Sequence, residues 1–327
     1  MARLIAPFKN LAFFLDQEPK AADFQADVLE GLAQDPKALP PKHFYDARGS
    51  ALFEAICETP EYYVTRTELA LMRAKAGEMA AAVGPDAAII EYGSGASEKV
   101  ALLLDAMEAP AAYVAIDISR AALLSATIRV AEERPDLPVG AVCADFFDEI
   151  ALPAEHLPGV RRVGYFPGST LGNFAPEEAV AFLERARAAL GPEGEFLIGV
   201  DLEKDLDILL PAYDDAAGVT ADFNKNVLMR MRAELGADVD PDDFDHEVRW
   251  NDARKRLEMH LKARKTLQIA LEARVFALDA GETIHTENSH KFTVERLGDI
   301  AAKAGWRIAE SWTDPKGWFA VAHLKQG

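Results

Sequence analysis

Between residues 87 and 202, short apolar runs alternate with amphipathic stretches. AAIIEY (87–92), AYVAIDI (112–118), VGAVCADF (139–146), RVGYF (162–166) and EFLIGVDL (195–202) are each nearly continuous in apolar residues. A strand buried on both faces reads this way, because neither face meets water. SEKVALLLDAM and EEAVAFLERARAALG carry apolar residues at helical spacing between such runs. Strand, helix, strand at this spacing predicts βαβ units, a parallel sheet covered on both sides and an α/β fold class.

Beyond residue 203 the alternation ends. Residues 205–235 read as helix interrupted near Gly218, and 255–278 as β-like stretches with mixed charge. The acidic DVDPDDFD (238–245) reads as a surface loop. TVERLGDIAAKAGW (293–306) is an amphipathic helical pattern, and two strands follow around Asp314-Pro315-Lys316-Gly317. The first eighty residues read as helical, with loop punctuation at LPPKH (39–43). These patterns predict a doubly wound domain over 64–203 plus 293–327, and a second lobe from 1–63 plus 204–292.

Charge narrows the partners. The 327 residues include 35 basic and 54 acidic side chains, a formal net charge of −19. A field of that sign repels phosphate backbones, so no nucleic-acid partner is expected. Two cysteines far apart in sequence, Cys57 and Cys143, fit reduced thiols and a cytoplasmic setting. No apolar run approaches a membrane span, and MARLIAPFKNLAFFLDQ reads as mature sequence rather than an export signal. The expectation is a monomer with no membrane partner. No metal-ligand spacing joins His43, His285 and His290, and no metal is expected.

Open parallel sheets bind ligands at the carboxyl ends of their strands, near the point where strand order reverses. Gly93-Ser94-Gly95 follows the first strand there, where glycines let backbone approach a ligand. Asp117, 24 residues after Gly93, ends the second strand, where a carboxylate can accept from ribose hydroxyls. Asp145-Phe146 ends the third and suits an adenine edge and face. The run is GSGAS, so the third glycine of a dinucleotide fingerprint is missing. With the closing hairpin, this series points to an S-adenosylmethionine-dependent methyltransferase. Lys99, early in the next helix, reads equally as a ligand contact or a surface lysine.

Two further stretches carry candidate chemistry. FPGSTLGNF (166–174) lacks the Asn/Asp-Pro-Pro-aromatic run of many nucleobase-amine methyltransferases. Its small residues expose backbone, and Asn173 offers an amide donor and acceptor to a substrate, or else caps a turn. In HTENSHKF (285–292), an extended chain puts His285, Glu287, Ser289 and Lys291 on one side, with Asn288 and His290 opposite. An acid and a hydroxyl about 7 Å apart can grip opposite ends of a small polar ring, or can belong to a solvated edge strand.

Several stretches resemble one family in order: PPKHFYDARGSALFEAICETPEYYVTRTE, EYGSGASEK, YFPGSTLGNF, AYDDAAGVTADFNKNVL, LEMHL and IHTENSHKF. They are similar to histidine-specific Nα-methyltransferases of ergothioneine biosynthesis, over essentially the whole chain. The resemblance implies conversion of L-histidine, through its mono- and dimethyl intermediates, to hercynine with S-adenosylmethionine. It also implies a Rossmann-like class I methyltransferase sheet and a second, α+β substrate-binding domain. By position, Asn173 and Tyr213 resemble the holders of the substrate carboxylate. Tyr45, Tyr62 and Gly168 resemble the surroundings of the amino group, and Tyr45 and Asn173 are assigned to catalysis.

Glu287 and Ser289 resemble the imidazole-binding pair, with Met259 as a side wall and Thr170 as lining. Gly93, Ser94, Gly95, Lys99, Asp117, Asp145 and Phe146 resemble the cofactor contacts. One departure is Val64, where the family often has Pro. The alternative is a methyltransferase of the same build acting on another amino acid or a biogenic amine.

Overall fold

The computed structural model describes residues 3–5, 11–19, 23–94, 98–153, 156, 157 and 159–327. In chain order they form β1 (Arg3–Ile5), β2 (Phe13–Asp16), α1 (Phe24–Ala33), α2 (Ala47–Glu58), α3 (Val64–Val83), β3 (Ala87–Tyr92), α4 (Glu98–Ala106) and β4 (Ala112–Asp117). Next come α5 (Arg120–Glu133), β5 (Val139–Cys143), β6 (Arg161–Phe166), α6 (Pro176–Leu190), β7 (Glu195–Asp201), α7 (Leu206–Leu209) and α8 (Val219–Leu235). The remainder is β8 (Phe244–Asn251), β9 (Arg256–Ala263), β10 (Leu267–Leu271), β11 (Arg274–Leu278), β12 (Thr283–His290), α9 (Val294–Lys303), β13 (Trp306–Thr313) and β14 (Phe319–Gln326). The chain divides into two compact units: residues 1–20, 67–202 and 292–327, and residues 21–66 and 203–291.

The first unit is built on a nine-stranded sheet in the order β1-β2-β5-β4-β3-β6-β7-β14-β13. From β2 to β7 neighbouring strands run parallel, and β14 closes antiparallel to β7 with β13 beyond it. This is the expected doubly wound sheet with a closing hairpin. Strand order reverses beside β3, so the carboxyl ends of β3, β4 and β6 border the ligand-binding crevice of such sheets. All six residues of β3 are buried, as a two-sided strand requires. One face packs through Tyr92, Phe166, Phe182, Phe196 and Trp306. Gly164 admits the Phe196 ring, which would lie 2.0 Å from a Cβ at that position. α6 starts with Pro176 in its first turn, and the Glu178 carboxylate accepts from the Ala175 N–H at 2.7 Å.

The N-terminal segment departs from the sequence expectation. β1 and β2 are strands where helix was expected, and residues 1–20 group with the sheet unit rather than with 21–66. The four-residue FFLD run is too short for a helix, and each of its residues pairs in parallel with β5. The Phe13 ring fills the space that Gly140 leaves open, 2.2 Å from where a Cβ would stand.

The second unit contains a three-stranded antiparallel sheet, β12-β9-β8, and a β10–β11 hairpin. β8 begins inside the stretch expected to be an acidic loop; only Pro241–Asp243 forms a tight turn there. Its charged residues masked the strand, because much of β8 is only half-buried. α8 is tied to the sheet by Asn224. The Asn224 amide donates to the His260 carbonyl at 3.1 Å and contacts His246 Nδ1 at 2.8 Å, and its oxygen accepts from Thr286 at 2.7 Å. Among the described residues no helix is long and apolar enough to cross a membrane.

Gly140→Val tests the β2–β5 packing. A branched side chain against Phe13 should cost about 1–3 kcal/mol as overpacking, read as a lower denaturation midpoint. An unchanged midpoint would show that Phe13 does not pack there.

Candidate active site

The first unit gathers its candidates around the carboxyl ends of β3, β4, β5 and β6. Gly93 has φ +81°, and the space its Cβ would take is open, so glycine is favoured there and backbone is left accessible. The Asp117 carboxylate accepts from Ser94 N–H at 3.0 Å, from Ser94 Oγ at 3.3 Å and from Ser119 N–H at 2.8 Å. These bonds fix its orientation, while burial raises its pKa above the usual carboxylate value. Asp145 accepts from the Phe147 N–H at 2.9 Å, and the Phe146 ring leans on Phe166, Phe174 and Phe182. Gly95 lies outside the described residues. Beneath the turn, burial pushes the Glu91 carboxyl up to about 8 although Tyr113 donates to it.

Lys99 is held by Glu68, a fully buried carboxylate on α3. Both Glu68 oxygens also lie 3.0 Å from the Gly168 nitrogen. One carboxylate thus links the candidate cofactor lysine to the loop after β6. That loop is strained where it matters: Gly168 has φ +79° and the non-glycine Ser169 φ +57°. Ser169 Oγ accepts from the Asp201 N–H at 2.9 Å, and Thr170 donates to the Pro167 carbonyl at 3.0 Å. Asn173, half-buried, ends the short helical turn Thr170–Asn173. Sequence reasoning missed Glu68, since an acid in the body of a helix carries no local signal of what it meets.

The second unit assembles a separate constellation on β9 and β12. Glu287 lies opposite Met259, and Ser289 opposite Leu257, so all four share one sheet face. His246 on β8, opposite Leu261, shares it too, and its Nε2 lies 2.8 Å from the Tyr213 carbonyl. The expected alternation of HTENSHKF is corrected at one point. The β12–β9 register slips between His285 and Glu287, leaving Thr286 as a bulge. His285 therefore stands opposite His260 on the other face, stacked on it at 5.0 Å between ring centroids. Glu287 and Ser289 keep their common side, with Asn288 and His290 opposite as expected.

Tyr213 Oη is 2.7 Å from Ser289 Oγ. Lys291, fully buried, donates to Ser289 Oγ at 2.7 Å and to Tyr213 Oη at 2.9 Å. Its ammonium also sits 4.6 Å from the Tyr213 ring centroid. Period two puts Lys291 on this side, but nothing local in the sequence marks it as a site residue. Tyr62 meets Tyr213 edge-on at 6.2 Å, and Phe53, Phe223 and Tyr45 continue the aromatic cluster at 5.5–6.3 Å. Thr220 is buried at the start of α8.

Burial pushes the Tyr62 and Tyr45 phenols upward, so both remain protonated donors near neutral pH. Tyr45 itself keeps 46% of its surface open, with its ring meeting Phe53 and Phe223 edge-on. Glu287 is likewise only half-buried by surface, yet its crowded carboxyl is pushed up to about 7, with Lys291 opposing the shift. Close to neutral pH the site therefore holds a carboxyl poised between its two forms beside a set of fixed donors. Among the described residues, no group of three or more His, Cys, Asp or Glu is arranged to hold a metal.

The model of the family "Histidine-specific methyltransferase, SAM-dependent" matches residues 24–326. A histidine N-alpha-methyltransferase of Mycolicibacterium smegmatis is 42% identical over 319 residues, covering 96% of this chain and 98% of that one. A histidine N-alpha-methyltransferase of Mycobacterium tuberculosis is 39% identical, with coverage of 96% and 98%. Ergothioneine biosynthesis protein 1 of Neurospora crassa is 34% identical over 206 residues, 62% of this chain and 23% of that protein.

The raised Glu287 carboxyl has a signed consequence. Its folded-state pKa of about 7 lies above the ordinary 4.5, so folding favours the protonated form. That stabilisation is complete below pH 4.5 and lost as pH rises through about 7. Relative to Glu287→Gln, the wild type should lose thermal stability across that window and level off above it. A midpoint difference independent of pH would place Glu287 in the ordinary carboxylate range.

Proposed function

The chain belongs to the histidine-specific, S-adenosylmethionine-dependent methyltransferase family, and from that premise we propose how it acts. It methylates the α-amino nitrogen of L-histidine, through mono- and dimethyl intermediates, to hercynine, the first step of ergothioneine biosynthesis. The observation that carries this reading is the common face of Glu287 and Ser289. Neutral imidazole presents one N–H donor and one acceptor nitrogen. Glu287 accepts from the first, and the Ser289 hydroxyl donates to the second. A ring lacking either group would leave a buried polar partner unsatisfied, which such sites penalise heavily.

The residues of the first unit suit S-adenosylmethionine. Open space over Gly93 admits a ligand to the backbone, Asp117 and Asp145 supply oriented acceptors, and Lys99 supplies a cation. When bound, that cofactor supplies a sulfonium methyl group, whose S–C bond breaks as the amine lone pair forms N–C. The protein orients and desolvates the nucleophile, which provides much of the rate enhancement in a reaction without a covalent enzyme intermediate.

The amine must lose a proton before each transfer. The raised phenol pKa values make Tyr45 and Tyr62 donors and dipoles rather than bases, so that proton leaves toward water or another nearby acceptor. Aromatic faces at Tyr45, Phe53, Tyr62 and Phe223 favour a nitrogen whose charge becomes fixed on full methylation. The roles carried over to Tyr45, Tyr62, Gly168, Thr170, Asn173, Tyr213 and Met259 belong to this proposal, as does a cytoplasmic setting.

Incubation with L-histidine and S-adenosylmethionine should yield trimethylated histidine by mass spectrometry; consumption of a different amine alone would reassign the substrate. Glu287→Ala should raise KM for histidine roughly 10–100-fold, the value of one hydrogen bond to a charged group, while S-adenosylhomocysteine binding stays within about threefold. Equal losses of both would count against an imidazole contact.

A further inference from the structure

We propose that Glu68 is a positioning residue that balances the charge of Lys99, so that the crevice does not favour the spent methyl donor over the cationic one. The inference rests on the reading of Lys99 as a cofactor contact. It adds to that reading a residue that acts on the cofactor only through the lysine.

The fold builds a place for this carboxylate. Glu68 on α3 is 0% exposed and pairs with the Lys99 ammonium near the start of α4. The Gly168 N–H is shared between its two oxygens, each 3.0 Å away. Gly199 on β7 leaves the room that the carboxylate occupies, since a Cβ there would lie 2.6 Å from Glu68 Oε1. Lys99 Nζ in turn lies 3.6 Å from where a Cβ at Gly168 would stand. Ammonium, carboxylate and loop are therefore packed together. Glu91, a further buried carboxyl within electrostatic reach of Lys99, does not take over the balancing. Burial pushes it up to about 8, which leaves it mostly neutral near neutral pH.

Stability does not explain the pair. Burying two charges costs desolvation, and apolar side chains of like volume often fill such space at no loss. The explanation lies in what the crevice must hold. S-adenosylmethionine carries one positive charge more than S-adenosylhomocysteine, and an unbalanced ammonium in the same crevice repels that charge. In the three successive transfers proposed above, the donor must compete with its own accumulating product. An ammonium has three hydrogens, and among the described residues Glu68 is the one hydrogen-bond partner of Lys99. The lysine thus keeps hydrogens for a ligand carboxylate, and the pair supplies recognition without net charge.

The test compares affinities for S-adenosylmethionine and S-adenosylhomocysteine, measured by calorimetry without histidine. Glu68→Gln keeps the shape and removes the charge, and should shift preference toward S-adenosylhomocysteine by about fivefold or more. Lys99→Met should weaken both ligands and shift the preference the other way, because Glu68 is then the unbalanced charge. The double variant should return to the wild-type preference, since the pair is again neutral. A glutamate needed only for folding would move both ligands together, and removing Lys99 would not restore the balance.

Equal changes for both ligands in folded Glu68→Gln, or a double variant whose preference stays shifted, would overturn the inference. Should Glu68→Gln not fold, Lys99→Met decides by sign: a shift toward S-adenosylmethionine upholds the inference, and weakened binding with no such shift rejects it. Wild-type affinity for both ligands in Lys99→Met would instead defeat the reading of Lys99 as a cofactor contact, and the inference with it.

Discussion

The register of β12 against β9 is the constraint on which the second unit's chemistry depends. In a strand the side-chain period is two, so a slip of one residue exchanges every inward group for an outward one. The bulge at Thr286 introduces one such slip and confines it to residues before Glu287. Downstream, Glu287 and Ser289 face the same side as Met259 and His246; upstream, His285 is sent to the opposite side with His260. Thr286 is buried and bonded to Asn224 and to the Met259 carbonyl. Those bonds anchor the extra residue to α8 and β9, and so hold the aim of Glu287.

On that face, polarity is arranged by direction as well as by charge. Lys291 donates to both Tyr213 and Ser289, whose oxygens lie 2.7 Å apart, and Glu287 is a carboxyl whose charge state responds to pH near neutrality. The surrounding aromatic faces complement a cationic nitrogen without requiring a counter-ion that would compete for it.

The first unit solves a different problem with backbone. Gly93 leaves room above the turn after β3, and the positive φ values at Gly168 and Ser169 shape the loop after β6. Glu68 holds that loop and Lys99 together from inside the fold. A buried carboxylate bonded to an N–H and an ammonium is satisfied only in one geometry, because any departure leaves charge without a partner in a dry interior.

The central strands, the parallel sheet and its closing hairpin were legible in the sequence, since continuous apolar runs and helical spacing are local patterns. So were the turn at Gly93 and the carboxylate of Asp117, which the end of β4 places automatically; Asp145, expected to end its strand, lies two residues beyond β5. Glu287 and Ser289 were legible as a pair because period two is geometric. The strands at Arg3–Ile5 and Phe13–Asp16 were not, since their pairing partners lie far along the chain or complete a sheet edge. Nor was the bulge that reverses His285, nor the convergence of Glu68 on Gly168, nor the burial of Lys291 against Ser289 and Tyr213. Sequence alone determined which groups were available and which faces short segments present. Tertiary structure decided which of them meet without water between them, because contact and desolvation depend on residues far apart in the chain, such as Glu68 and Gly168.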